Sequence, residues 1–206
     1  MQPVRVHNQF SDEAAQDLRE QELVLFTLAL RPGLPRAEAR QLARATLQHA
    51  LQRHLGREAH AISIETVPGN APVVMVGGRR VHVSLSYESD RAFIAIDMHG
   101  PIGIDAAAVG HQAEWFEECV GVANEYLPPS ISQKIKALAG LERATAFAAA
   151  WALHEARLKC LGLPLQEWTN ELDTQLAATR GGSICDHEGF MAAYARKDRK
   201  NSQMAG

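Results

Sequence analysis

Two acids and a lysine in the second half of the chain could do chemistry together. Asp105 ends the run IGID, and Glu155 and Lys159 lie in the segment WALHEARLK, Trp151 to Lys159. On a helix, Trp151, Glu155 and Lys159 recur at i, i+4 and i+8 and line one stripe, with Phe147 one turn earlier. Such a stripe can hold a working carboxylate and lysine inside a site, or only a helical ion pair worth about 0.2–0.5 kcal/mol. Spacing alone favours the ion pair. Asp105 shares a strand face with Gly103 and Ala107, opposite Ile104 and Ala106, although a lone Asp at a strand end is more often a turn or capping residue. A third group lies in VSLSYESD, where Ser84, Ser86 and Glu88 alternate to one side; taken alone, this is a hairpin tip. Finally, Arg36, Arg40 and Arg44 form an i, i+4 row that reads first as a solvated helix face. His82, His99, His111 and His187 show no metal-ligand spacing, and no phosphate loop, G-x-G-x-x-G or G-x-S-x-G motif occurs.

The elements that must position these residues follow from local pattern. SDEAAQDLRE opens with Ser and acids that can cap a helix, and ELVLFTLALRP suits either a buried strand or a continuation of that helix. From Leu34, apolar residues at Ala39, Leu42, Ala43, Leu47, Ala50, Leu51 and Leu55 keep three-and-four spacing up to Gly56, which predicts a helix. Strand-like pieces follow at AISIETV, PVVMV, RRVHVSLSY and RAFIAIDM, with a turn at PGNAP, then IGIDAAAV. Helices are expected around AEWFEECVGVANEYL and ISQKIKALAGL, the latter running into a long helix from about Leu141 to Leu161 that Gly162 and Pro164 stop. A weak strand TQLAATR, a Gly181-Gly182 turn, the piece GFMAAYA and a charged, frayed tail complete the chain. The pattern is α+β, with one half at residues 1–99 and another at 100–206, joined near Gly100-Pro101.

Composition narrows the class. Of 206 residues, 46 % are hydrophobic and 22 % charged, near globular averages. The net charge of −3 provides no electrostatic reason to expect a nucleic-acid or acidic-membrane partner. Three cysteines, widely spaced and without a C-x-x-C pattern, indicate neither a disulfide framework nor a zinc site and fit a reducing, cytoplasmic setting. The N-terminus lacks the apolar core of a secretory signal, and no run approaches the roughly 18 apolar residues of a membrane span.

Taken in order, the motifs resemble the 4'-phosphopantetheinyl transferases, specifically the larger single-chain, surfactin-synthetase-activating class with two pseudo-repeated halves. Gly103-Ile104-Asp105 matches the start of the family's G-x-D-x-E motif. Trp151 to Lys159 matches W-x-x-K-E-A-x-x-K, with His154 in the place of the first lysine. The family's Ser-His-Ser turn falls at Ser86-Tyr87-Glu88, its Gly-Lys-Pro turn at Gly69-Asn70-Ala71-Pro72, and its arginine-bearing helix at the one carrying Arg40 and Arg44. The likeness covers most of residues 36–195 and is most specific from Trp151 to Lys159.

The resemblance implies two similar α+β halves related by a pseudo-two-fold, in a monomer. It also implies transfer of the phosphopantetheine arm of coenzyme A to a serine of an acyl or peptidyl carrier protein. Asp105 and Glu155 are then expected to hold Mg2+, and Glu155 and Lys159 to act catalytically, Lys159 facing the phosphates. Arg40, Arg44, Ser86, Tyr87, His154 and Lys159 would line coenzyme A. The chain also departs from the pattern: Ala107 stands where the family has the second acid, Tyr87 and Glu88 replace the turn's His and Ser, and the turn lysine is missing at Asn70-Ala71. These departures leave a second reading, a catalytically weakened or inactive member that keeps the fold and binds a carrier protein or another partner.

Overall fold

A computed structural model describes residues 5–55, 62–65, 71–185 and 189–197. It divides into two compact units, Met1–Ile102 and Gly103–Gly206. In the first, β1 (Val6–His7) leads into α1 (Asp12–Gln21), β2 (Leu23–Ala29) and α2 (Arg36–Leu55). Four further strands follow: β3 (Ile62–Glu65), β4 (Val73–Val76), β5 (Arg79–Glu88) and β6 (Arg91–Asp97). They form a sheet of order β1-β2-β6-β5-β4-β3. Ser11 caps α1, its side chain accepting from the Ala14 amide, and Asp12 and Glu13 occupy the first turn, where the helix dipole favours acids.

The ambiguous LVLFTLA is a strand, paired antiparallel along its whole length with β6. Its β-branched and aromatic residues suit a central position better than a helix. The helix that precedes it ends at Glu22, in the left-handed conformation. Ala39, Ala43, Leu47, Ala50 and Leu51 of α2 form one core with Val24, Phe26, Val83 and Ile94 of the sheet. Leu42, expected on that stripe, is instead 48 % exposed. It lies about 100° round the helix from Ala43, off the buried row. The helix end expected at Gly56, the turn at Gly69-Asn70, His187 and the tail from residue 198 lie outside the described residues.

The second unit begins within β7 (Ile102–Ala108) and continues through α3 (Ala113–Tyr126), α4 (Pro129–Ala137) and α5 (Gly140–Leu161). It closes with α6 (Asn170–Leu176), β8 (Thr179–Cys185) and β9 (Phe190–Lys197), the strands in the order β7-β9-β8. The run from ISQKIK does not continue unbroken into α5. Leu138 turns to extended backbone, and the Arg143 guanidinium ties the break by donating to the Leu138 carbonyl at 2.8 Å.

Two expectations near the C-terminus need correction. Of TQLAATR only Thr179-Arg180 are strand, opening β8, and Thr174 to Leu176 end a helix, because Thr169 accepts from the Leu172 amide as an N-cap and Leu172 and Leu176 bury one face of α6 beside Leu158. Gly181-Gly182 is not a turn but the middle of β8, opposite Ala195 and Tyr194. A Cβ at Gly181 would overlap the Tyr194 carbonyl oxygen. A strand glycine here marks backbone approaching backbone.

The helix α5 is buried on several sides. Ala152, Ala156 and Cys160 meet Ala193 and Ala195 of β9, Phe147 joins Cys119, Ala123 and Leu127 of the α3 region, and Leu158 joins Leu172 and Leu176. Among the described residues no helix is long and apolar enough to cross a membrane.

The tightest packing in this unit lies between β7 and α5. A Cβ at Gly103 would overlap the Ala156 carbonyl oxygen and lie 2.7 Å from the Cys160 amide nitrogen. Gly103→Ala is expected to destabilise the second unit by about 1–3 kcal/mol, since neither backbone can yield cheaply. Gly121→Ala, in an exposed part of α3 with nothing within 4 Å of the added carbon, is expected to stabilise by about 0.5–1 kcal/mol. Urea unfolding of the two variants checks the contrast; similar stability for both would remove the close approach as a constraint.

Candidate functional site

Asp105 lies two residues beyond the Gly103 contact, on the same face of β7. It is buried, 5 % exposed. The close packing at Gly103 sets its distance from α5, and Lys159 Nζ lies 2.5 Å from Asp105 Oδ1 and 3.4 Å from the Ile104 carbonyl oxygen. The lysine keeps a third of its side chain exposed, while the aspartate side chain is 8 % exposed. Glu155 stands one turn before Lys159. Burial first, then the negative charge of Asp105, pushes the Glu155 carboxyl above the usual carboxylate range, and Lys159 pulls it partly back. The three ionisable groups singled out in the second half of the sequence therefore form one electrostatic cluster.

The same stripe of α5 is held further up by aromatic rings. Phe147 and Trp151 stack with centroids 5.8 Å apart, and Tyr126 and Trp115 meet Trp151 and Phe147 respectively edge to face. This packing fixes the rotation of α5 and hence the direction in which Glu155 and Lys159 point. His154 belongs to the aromatic group: its ring lies 6.2 Å from that of Trp151, and it is 4 % exposed. Burial, with a smaller contribution from Arg157, holds its pKa below the ordinary histidine value. Its Nε2 is buried without a hydrogen-bond partner.

The donor set can be tested against a metal ion. Among the described residues no group of three or more His, Cys, Asp or Glu is arranged to hold one. A cage made wholly of protein ligands is thus not formed there. Two neighbouring carboxylates nevertheless suit magnesium, which commonly takes one or two from the protein and fills its remaining positions with water and substrate phosphate. Ala107, two residues beyond Asp105 on the same face, packs with Ala152, Ala156, Cys160, Ala193 and Ala195.

The expected coenzyme-binding residues of the first half lie together on the first unit. Tyr87 of β5 packs against the core beneath α2, and Arg36 covers its ring, the guanidinium carbon 4.9 Å from the ring centroid. Burial pushes the Tyr87 hydroxyl up, while Arg40, Arg36 and Arg44 together pull it down. The row of arginines read first as a solvated face therefore converges on one phenol. Arg36 lies outside the site expected from the family resemblance, and its i, i+4 spacing from Arg40 is the signal in the sequence that includes it. Ser86, by contrast, is 5 % exposed and pairs with Phe93 of β6. The turn itself lies one step further on, where Ser89 adopts a positive φ between Glu88 and Arg91.

Residues 101–200 match the family model of the 4'-phosphopantetheinyl transferase superfamily. That span contains β7 and α5, and with them Asp105, His154, Glu155 and Lys159. No curated protein matches the chain.

The convergence on Tyr87 can be checked directly. Removing a nearby cation disfavours the phenolate, so Arg40→Gln is expected to raise the Tyr87 pKa further and leave Tyr194, which burial raises separately, unmoved. A tyrosine-resolved NMR titration reads both; a Tyr87 midpoint that does not rise would place Arg40 away from the ring.

Proposed function

We propose that the protein transfers the 4'-phosphopantetheine arm of coenzyme A to a serine of an acyl or peptidyl carrier protein. The observation that carries this reading is the meeting of Asp105, Glu155 and Lys159 within the span that matches the transferase superfamily.

In this reading the serine oxygen forms a bond to the phosphorus that bears the pantetheine arm. The bond from that phosphorus to the adenosine-side phosphate oxygen breaks, and 3',5'-bisphosphoadenosine leaves. Glu155 takes the serine proton, directly or through a water molecule. Lys159 offers its ammonium to the charge that develops on the phosphate oxygens. Asp105 and Glu155 hold Mg2+, which when bound neutralises diphosphate charge. The arginines of α2, Arg40 and Arg44, supply cations to the phosphates of coenzyme A, and Tyr87 an aromatic surface to its adenine. Phosphoryl transfer depends on positioning and charge neutralisation more than on covalent help, which suits a site built of carboxylates and a lysine.

A second reading, a weakened or non-catalytic relative that binds a carrier protein without transfer, rests on the departures from the family pattern, above all Ala107 in the place of the second acid. The two readings separate in one experiment. Purified protein, coenzyme A and Mg2+ are incubated with a panel of apo carrier proteins, and each carrier is weighed by mass spectrometry. A mass gain of one phosphopantetheine is expected. Should no carrier gain it while one still binds, the second reading takes over.

Glu155→Gln is expected to lower the rate by about 100-fold or more, the scale of losing a general base, with the thermal melting of the protein retained. Undiminished turnover in a folded variant would remove Glu155 from the chemistry.

A further inference from the structure

The lysine on Asp105 and a divalent cation have the same target. Nζ lies 2.5 Å from Oδ1, on one of the oxygens that would serve as ligand to an ion held by Asp105. The carboxylate has other lone pairs to offer, but an ammonium and a divalent ion held on the same buried group repel at such a distance. Lys159 is also built to leave. Its side chain is a third exposed, in contrast to the buried aspartate, and its four-carbon stem is flexible. Its second contact, to the Ile104 carbonyl at 3.4 Å, is long for a hydrogen bond.

Resting on the reading that Asp105 and Glu155 hold magnesium, we propose that Lys159 is an internal competitor for that ion. It occupies Asp105 while no metal is bound, is displaced as the metal enters, and is then free to turn to an anionic phosphate. The same side chain thus links two events. Metal loading releases the cation that the phosphates of the incoming substrate require, and a substrate phosphate that draws Lys159 away leaves Asp105 open to metal. By linkage each favours the other.

The size of the effect follows from charge. An opposite charge within about 4–6 Å weakens a carboxylate's hold on a proton by about 1–3 powers of ten. Weakening of its hold on a metal ion has the same sign and is reduced by the solvent around Lys159, so removal of the ammonium should strengthen metal binding about tenfold.

The test uses the full chain without coenzyme A, and Mn2+ followed by electron paramagnetic resonance, with Mg2+ competition to relate the two ions. Lys159→Met and Lys159→Gln are expected to bind Mn2+ about tenfold more tightly than the unaltered protein, and Asp105→Asn more weakly. If the Lys159 variants bind no more tightly while Asp105→Asn is weakened, the competition is overturned and the metal site stands. If Asp105→Asn binds as the unaltered protein does, the metal reading falls and the competition with it. A second measurement reads the unaltered protein and uses a single conservative variant only to assign a resonance. The protein is reductively 13C-methylated, and the Lys159 resonance is identified by its absence from Lys159→Arg. Saturating Mg2+ should shift that resonance, and an unmoved one overturns the proposal.

Discussion

The second unit depends on the approach of β7 to α5 at Gly103. With no side chain there, strand backbone reaches helix backbone beside Ala156 and Cys160. Everything that follows along β7 inherits this separation. Asp105 is near enough to receive Lys159, and Ala107 is near enough to join the small-residue face of the helix. A larger residue at 103 would push the strand away, and a charged pair formed across a wider gap would admit water and weaken. Alanines on α5 serve the same end from the other side. They cost little entropy to bury and let the helix lie close against β9 as well.

Distance is then turned into chemistry by the asymmetry of burial. Asp105 is buried, Lys159 is partly open, and Glu155 is raised above the usual carboxylate range by lost solvation and by Asp105. A buried carboxylate beside a second one would be costly without a cation, and the lysine supplies it. The first unit handles charge differently. Arg53 of α2 pairs with Asp12, but Arg36, Arg40 and Arg44 lie along another stretch of that helix around Tyr87, with Arg36 stacked on its ring. An arginine row of that kind remains available to anions. The aspartate of the second unit already has a cation, the lysine, beside it.

Much of this was legible in the sequence because it is written in short-range periodicity. The α2 stripe, the α5 boundaries near Gly162 and the strands either side of Ser89 follow from apolar spacing, a left-handed C-cap glycine and turn residues. Residues 174–176 misled because a β-branched threonine and polar glutamine just ahead of the strand that begins at Thr179 resemble its continuation. What decides the matter is a Thr169 cap and two leucines that find Leu158, a contact no local window contains. Gly181-Gly182 misled for a related reason: a glycine pair suits a turn and a close strand crossing equally, and only the partner strand distinguishes them. In the site, the stripe of Glu155 and Lys159 was visible as spacing. That Asp105 meets it, fifty-four positions away from Lys159, followed from the family resemblance and not from spacing, and the burial of His154 followed from neither.

That burial bears on how the chain departs from the motif it resembles. The family pattern brings two acids from G-x-D-x-E and one from K-E-A, against two lysines, a formal sum of −1. Here Ala107 removes one acid, and His154 removes one lysine. Asp105, Glu155 and Lys159 remain, again a formal sum of −1. The balance holds only if His154 contributes no charge, and its burial beside Trp151, with a pKa held down by lost solvation and by Arg157, favours the neutral ring. The two departures are therefore of opposite sign and offset each other. Either change alone would shift the site by a full charge, the missing acid bringing the formal sum to zero and the missing lysine bringing it to −2 and leaving carboxylates to repel. Together they leave a smaller cluster with the same net charge, in which a single lysine must answer both to the carboxylates and to any phosphate that arrives.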